Sequence, residues 1–265
     1  MSAPLDGPFS LRGKAVFVTG GARGIGRGIA EALAEAGADV GVGDLDVDGA
    51  RQTARLVEQA GRRSLPLALD VTQTASLEAA ASATFAAFGR LDGWVNNAGV
   101  LRMSPAIEAS AADVEGQLRV NAQAVLAGCQ VAARRMIAQG GGAIVNVASN
   151  AGKVGYRNMA AYNASKAAVI SFTRSLALEW AEHEINVNAV CPGGVDTPML
   201  RDVAEWLAPR LGQSVDALHG QMKPQQLERR IRPLEVGRVV AFLLSDAAAI
   251  IRGQSINVDG GDTPY

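Results

Sequence analysis

One alternation, repeated along most of the chain, constrains it more than any other feature. A short β-branched apolar run is followed by a loop of small residues and then by a longer amphipathic stretch. Residues 15–18 (Ala15-Val16-Phe17-Val18) form the first run, and a small-residue helix over 24–36 follows it. The pattern recurs as a run at 39–43 with a helix at 47–60, a run at 64–69 with a helix at 75–88, and a run at 91–95 with a long helix at 111–139. The most apolar run, 143–147, precedes a helix over 156–181, and 185–190 and 255–258 supply two further strands. Strands that are apolar on both faces and alternate with helices indicate a parallel sheet covered on two sides. Right-handed crossovers then predict an α/β, doubly wound sheet of about seven strands.

A chain of 265 residues can bury a large core within one such unit. The expected organisation is a short tail over 1–10 and a single domain over 11–265. Residues 195–232 depart from the alternation, being long and punctuated by Pro198, Pro209 and Pro224. An excursion of that kind is expected to be a lid or binding loop. A formal net charge of -1 leaves no electrostatic footprint for nucleic acid or an anionic membrane. Cys129 and Cys191 fall in a buried helix and a buried strand, too far apart in sequence for a zinc signature or a disulfide framework, so no metal is expected. The first residues lack the basic and apolar regions of a signal peptide, and no apolar stretch is long enough to span a bilayer, so the expected location is the cytoplasm.

Directly after the first strand comes Thr19-Gly20-Gly21-Ala22-Arg23-Gly24-Ile25-Gly26. Glycines there permit a tight turn and close approach of the backbone to a pyrophosphate, which the amides and dipole of the following helix would attract. The spacing is Gly-x-x-x-Gly-x-Gly, not Gly-x-Gly-x-x-Gly, and glycine-rich turns also end strands for purely steric reasons. Asp44 closes the second strand, near the roughly 20-residue spacing at which a carboxylate meets the adenosine ribose. Its charge repels a 2′-phosphate and favours NAD over NADP, and Leu45 follows it; Arg23 argues the other way, and Asp44 could instead cap the next helix. Asp70 and Val71 after the third strand, and Asn96-Asn97-Ala98-Gly99 after the fourth, stand where an adenine edge and a ribose would lie. All occupy carboxyl ends of successive strands, where open α/β sheets bind ligands.

Tyr162 and Lys166 stand one helical turn apart on one face, and Ser149 follows the most buried strand thirteen residues before Tyr162. A phenol with an ordinary pKa near ~10 is a poor base. A neighbouring ammonium favours its phenolate, so the lysine is expected to lower it.

These segments, with Pro192-Gly193 and the closing Val258-Asp259-Gly260-Gly261, resemble the short-chain dehydrogenase/reductase family, in order from about residue 10 to the C-terminus. The resemblance implies a Rossmann fold and a metal-free hydride transfer between nicotinamide and an alcohol or ketone. It implies that Tyr162 is the general acid/base, that Ser149 orients the substrate oxygen, and that Lys166 binds ribose and tunes the tyrosine. Asn121 matches the family asparagine that holds a relay water where its helix bends. Gly20, Arg23, Gly24, Ile25, Gly26, Asp44, Leu45, Asp70, Val71, Asn97, Ala98 and Gly99, with Pro192, Gly193, Val195 and Thr197, are the implied cofactor contacts.

The expected substrate is a secondary alcohol or ketone, with a pull towards polyols, sugars or small diols. The competing readings are an NADPH-dependent 3-oxoacyl thioester reductase and a non-catalytic NAD-binding scaffold. Met199, Trp206, Arg102 and Met103 are candidate pocket walls, Trp94 and Trp180 core or interface, and His183 and His219 exposed polar residues. The family implies a homotetramer, with apolar helix faces at 122–137 and 167–178 suited to a four-helix contact and the helix near 236–244 to a second.

Overall fold

Seven strands pair in parallel in the order β3-β2-β1-β4-β5-β6-β7. The strands are β1 Ala15–Thr19, β2 Asp39–Asp44, β3 Ser64–Ala68, β4 Gly93–Asn96, β5 Gly142–Val147, β6 Ile185–Pro192 and β7 Ser255–Val258. The computed structural model describes residues 7–265. The expected tail over 1–10 therefore lies partly outside the described residues. All five residues of β1 are buried, as a central strand covered on both faces requires, whereas the outer strands β3 and β7 are only partly covered. Strand order reverses between β1 and β4, which opens a crevice at the carboxyl edge of the sheet.

Helices α1 Gly24–Glu35, α2 Val47–Gln59 and α9 Pro233–Leu243 lie with the core that contains Ile29, Leu33, Val40 and Val240. Helices α3 Thr74–Phe88, α5 Ala124–Gln139 and α6 Ala160–Glu179 lie with the core of Phe17, Trp94, Met136 and Ile144. Phe17 stacks on Trp94 with ring centroids 4.8 Å apart, which ties β1 to β4 beneath the crevice.

Two expected helices differ from their sequence pattern. The helix over 111–139 is divided into α4 Ala111–Leu118 and α5 by a π turn, Arg119–Gln123. The helix expected from residue 156 begins only at Ala160, because Asn158 takes a left-handed backbone with φ of 63°. The excursion is largely helical: α7 Pro198–Leu211 starts at Thr197, whose hydroxyl accepts the Leu200 N–H, and α8 Val215–Gln221 follows Ser214. Its own core is small, made of Ala204, Ala208 and Leu218. Among the described residues no helix is long and apolar enough to cross a membrane.

Candidate active site

The glycine turn is tied to the end of β4 by its own backbone. Gly20 has φ of 67°, and a Cβ there would stand 2.6 Å from the Cα of Ala98. Asn97 Nδ2 donates to the carbonyls of Thr19 and Gly20 at 3.0 and 2.8 Å, and Thr19 Oγ1 accepts the N–H groups of Asn97 and Ala98. Helix α1 then begins with Arg23 at its N-cap, no side chain capping it and no acid in its first turn. Its leading amides face the cleft without a competing anion, a cradle suited to phosphate. Gly24, Ile25, Gly26 and the exposed Arg23 line that part of the wall.

Asp44 reaches the same cleft, with its Oδ2 accepting the Ala22 N–H and its Oδ1 the Asp46 N–H, both at 3.0 Å. It does not cap α2; Asp46 does, through the Gly49 N–H. Asp44 thus anchors the glycine turn while keeping carboxylate lone pairs towards the cleft. Leu45 beside it is 75% exposed. Asp70 Oδ1 accepts both the N–H and the hydroxyl of Thr72, and Val71 lines the wall next to it.

At the other end of the same cleft, whose volume is about 1220 Å³, stand Ser149, Tyr162 and Lys166. That exceeds the roughly 300–1,000 Å³ of an ordinary small-ligand site and fits a dinucleotide together with a substrate. Lys166 is buried on α6 and donates to the Val147 carbonyl at 2.8 Å, with its Nζ 5.7 Å from the centre of the Tyr162 ring. Gly99 lies beside them, where a Cβ would sit in ordinary contact with Asn121 Oδ1 at 3.4 Å and Lys166 Nζ at 3.6 Å. Ser149 caps the short 3-10 turn after β5 by accepting the Ala151 N–H at 3.1 Å, and its hydroxyl donates to Asn150 Oδ1 at 3.4 Å. Asn121 is fully buried in the π turn; its amide brackets the backbone of Val100, accepting its N–H and donating to its carbonyl, and also donates to Ser165 Oγ. Pro192 ends β6, Gly193 bonds the Val258 carbonyl, and the buried Val195 pairs with Ile231 just before Thr197.

The model of the family described as Enoyl-(Acyl carrier protein) reductase matches residues 20–263. This chain is a short-chain dehydrogenase/reductase. It is similar to D-threitol dehydrogenase of Mycolicibacterium smegmatis, 40% identical over 98% of this chain and 96% of the relative. Cyclopentanol dehydrogenase of Comamonas testosteroni is 38% identical over 94% of this chain and 97% of the relative. The solved structure of levodione reductase superposes with a TM-score of 0.90 at 32% identity, covering 96% of this chain and 99% of that one. The family uses NAD(P), and the chain is an alcohol dehydrogenase/ketone reductase by class. These relatives do not favour the 3-oxoacyl thioester reading.

The charge state of the dehydrogenase's tyrosine departs from expectation. Burial pushes the Tyr162 phenol up to about 12, with the Ser149 hydroxyl pulling it partly back. Burial likewise brings Lys166 down to about 8. In the protein alone, loss of hydration outweighs the attraction of an ammonium that is engaged with the Val147 carbonyl.

Three further expectations need correction. Trp206 does not line the cleft; its ring instead lies under the Arg210 guanidinium at 3.7 Å. Arg102 turns away to pair with Asp113 at 3.3 Å, leaving Met103 and Met199 as wall residues. His219 is half-buried, not exposed, and its Nε2 is buried without a hydrogen-bond partner among the described residues, whereas the side chain of His183 is 39% exposed. Trp94 is core, and Trp180 lies beside Leu126 and Phe172 in a groove between α5 and α6.

Sequence reasoning passed over Asn150 and Tyr156. Asn150 Nδ2 donates to the Tyr156 hydroxyl at 2.9 Å, and both line the cleft. Their only signal in the sequence is position, between Ser149 and Tyr162.

Proposed function

We propose that this enzyme oxidises a secondary alcohol, or reduces the matching ketone, with NAD. The observation that carries the reading is the meeting of Ser149, Tyr162 and Lys166 on one wall of a cleft continuous with the uncapped start of α1. A bound nicotinamide supplies or accepts the hydride. Tyr162 holds the transferable proton at its phenol oxygen, taking it from the substrate hydroxyl in oxidation and returning it in reduction. With its pKa near 12, the phenol needs added positive charge to act as a base, and Lys166 is the cation within reach. At about 8, Lys166 stays largely charged at neutral pH. Ser149 orients the substrate oxygen, while Asn121 fixes the 97–100 segment that the cofactor ribose would meet.

The choice of NAD rests on Asp44, whose carboxylate faces the cleft and disfavours a 2′-phosphate more than the exposed Arg23 attracts one. Initial rates with NAD and NADP test it. NAD is expected to give the higher kcat/KM, and Asp44→Ser to narrow the gap by about tenfold; an NADP preference in the parent enzyme overturns the assignment.

The wall of the cleft also includes Leu101, Met103, Met159, Met199, Val203 and Leu207, which favours an alcohol flanked by apolar carbon. The relative that acts on D-threitol supports polyols as the second reading. Rates with cyclopentanol and D-threitol distinguish them, the first expected to give the higher kcat/KM. Residues 195–232, with α7 and α8, act as the substrate lid within one catalytic unit over 11–265. The groove between α5 and α6, lined by Leu126, Ile137 and Phe172, is the proposed dimer contact of a homotetramer, which light scattering would measure. The proposed location is the cytoplasm.

A further inference from the structure

The charges around the cleft are divided by position. Asp44, Asp46 and Asp70 stand, with the one cation Arg23, at the end beside β2 and β3. The lid end carries Arg157, Arg210 and Lys223 against a single carboxylate, Asp262. None of these three cations is ion-paired among the described residues. That sets them apart from lid and hinge arginines such as Arg201, Arg229, Arg230 and Arg232, each of which holds an acid. Arg210 donates to the Trp206 carbonyl at 2.6 Å, with its guanidinium flat on that residue's indole ring. Lys223 reaches only the backbone carbonyl of Glu228, at 3.3 Å. Among the described residues Arg157 makes no side-chain hydrogen bond or ion pair.

Asp262 brings two of the three segments together. Its Oδ1 accepts the Gln225 N–H at 2.8 Å, two residues beyond Lys223. Its charge also helps to raise the Tyr156 phenol, after burial, and Tyr156 adjoins Arg157. Between this rim and Tyr162 the wall is apolar, through Met103, Met159, Met199 and Leu207. An uncharged polyol would use none of these three solvent-exposed cations and would place hydroxyl groups against methionine and leucine.

We infer that the substrate is an amphiphilic anion: a secondary alcohol whose carbinol adjoins an apolar ring or chain and whose far end carries a carboxylate received by Arg157, Arg210 and Lys223. This rests on the alcohol dehydrogenase reading above and narrows it. A singly charged group suits a rim whose three cations are offset by Asp262, and guanidinium forks match the two oxygens of a carboxylate.

The test compares 3-hydroxycyclohexanecarboxylate with its methyl ester and with cyclohexanol, using the full chain and NAD. The acid is expected to have a KM about tenfold below that of the ester, each exposed cation contributing about two- to fivefold. Added sodium chloride should raise the acid's KM and leave the ester's flat. The triple variant Arg157→Gln, Arg210→Gln, Lys223→Gln should bring the acid-to-ester KM ratio close to one. Equal KM values for acid and ester in the parent enzyme overturn the inference, as does a variant that weakens both alike. It also falls if the triple variant raises the Kd for NAD as much as the KM for the acid, since the cations would then serve the cofactor. If none of the three alcohols is oxidised, the alcohol reading fails first. Calorimetric titration of the acid and the ester into the NADH complex then still decides this inference, because tighter binding of the acid, lost in the triple variant, needs no turnover.

Discussion

Beneath the cleft, a chain of buried hydrogen bonds runs from Trp94 Nε1 to Asn96, from Asn96 to Asn146, and from Asn146 to Thr173, linking β4, β5 and α6. Above it, α7 and α8 rest on four buried side chains, and surface ion pairs such as Arg201 with Asp216 and Arg230 with Asp196 tie that region together. In the floor each polar group has a partner and no access to water, so losing one leaves the other unsatisfied at full cost. In the lid the charges are largely exposed, and water can replace a lost partner. The proposed reacting groups grow out of the floor, just after β5 and on α6, whereas the apolar walls of the proposed substrate pocket come partly from the proposed lid. This division lets the shape of the pocket change without disturbing proton transfer.

Tyr162→Phe presses hardest on the comparison, because it changes the floor's chemistry and none of its packing. kcat should fall by about 10²–10⁴-fold while the Kd for NAD stays within about twofold, as steady-state rates and a fluorescence titration would show. Unimpaired turnover would remove Tyr162 from the mechanism.

Next in size is the pH dependence of stability carried by Lys166. Its folded pKa of about 8 lies below the ordinary 10.5, so between those values the unfolded chain binds more protons and stability rises with pH. Tyr162, held near 12 instead of 10, acts in the opposite sense, and stability falls as pH climbs from 10 towards 12. Relative to Lys166→Met, the cofactor-free parent should gain on the order of 1–3 kcal/mol as the first window is crossed, measured by denaturant unfolding at several pH values. A difference that does not vary with pH would mean that the ammonium is hydrated in solution.

Asn96→Ala should cost about 1–3 kcal/mol, seen as a lower denaturation midpoint, since it strips partners from the buried Trp94 Nε1 and Asn146 Oδ1. Arg201→Ala in the lid should cost less than about 1 kcal/mol and change KM more than kcat. A lid substitution as damaging to stability as Asn96→Ala would erase the contrast.

Much of the floor was legible in the sequence because burial on both faces leaves an apolar strand pattern, and because the glycine turn, Ser149 and Tyr162 with Lys166 each follow a particular strand. Three features were not. Helical periodicity runs unbroken through 111–139, so the pattern itself does not mark the π turn. Only the family resemblance, which implies a bend at Asn121, points there, and in the structure Asn121 grips the backbone of Val100 at that turn. The left-handed residue Asn158, which delays α6, carries no glycine to announce it. The lid's amphipathic stretch made Trp206 look inward-facing, but Arg210, one turn on, draws its ring into a stack instead. The protonation of Tyr162 was misjudged for a different reason: spacing reveals that a lysine is near, but not that both groups have lost their water.

The wide turn at Arg119–Gln123 has a bearing on how this chain tolerates changes of length. A wide turn takes one extra residue into the helix, and that extra residue lets Asn121 face the backbone of Val100. Removing a single residue between 119 and 123 would let the segment wind as one continuous rod. Asn121 would then swing off Val100, and the 97–100 segment would lose that anchor. A frame-preserving one-codon loss here should therefore be far more damaging than the same loss at the exposed turn around Gly212.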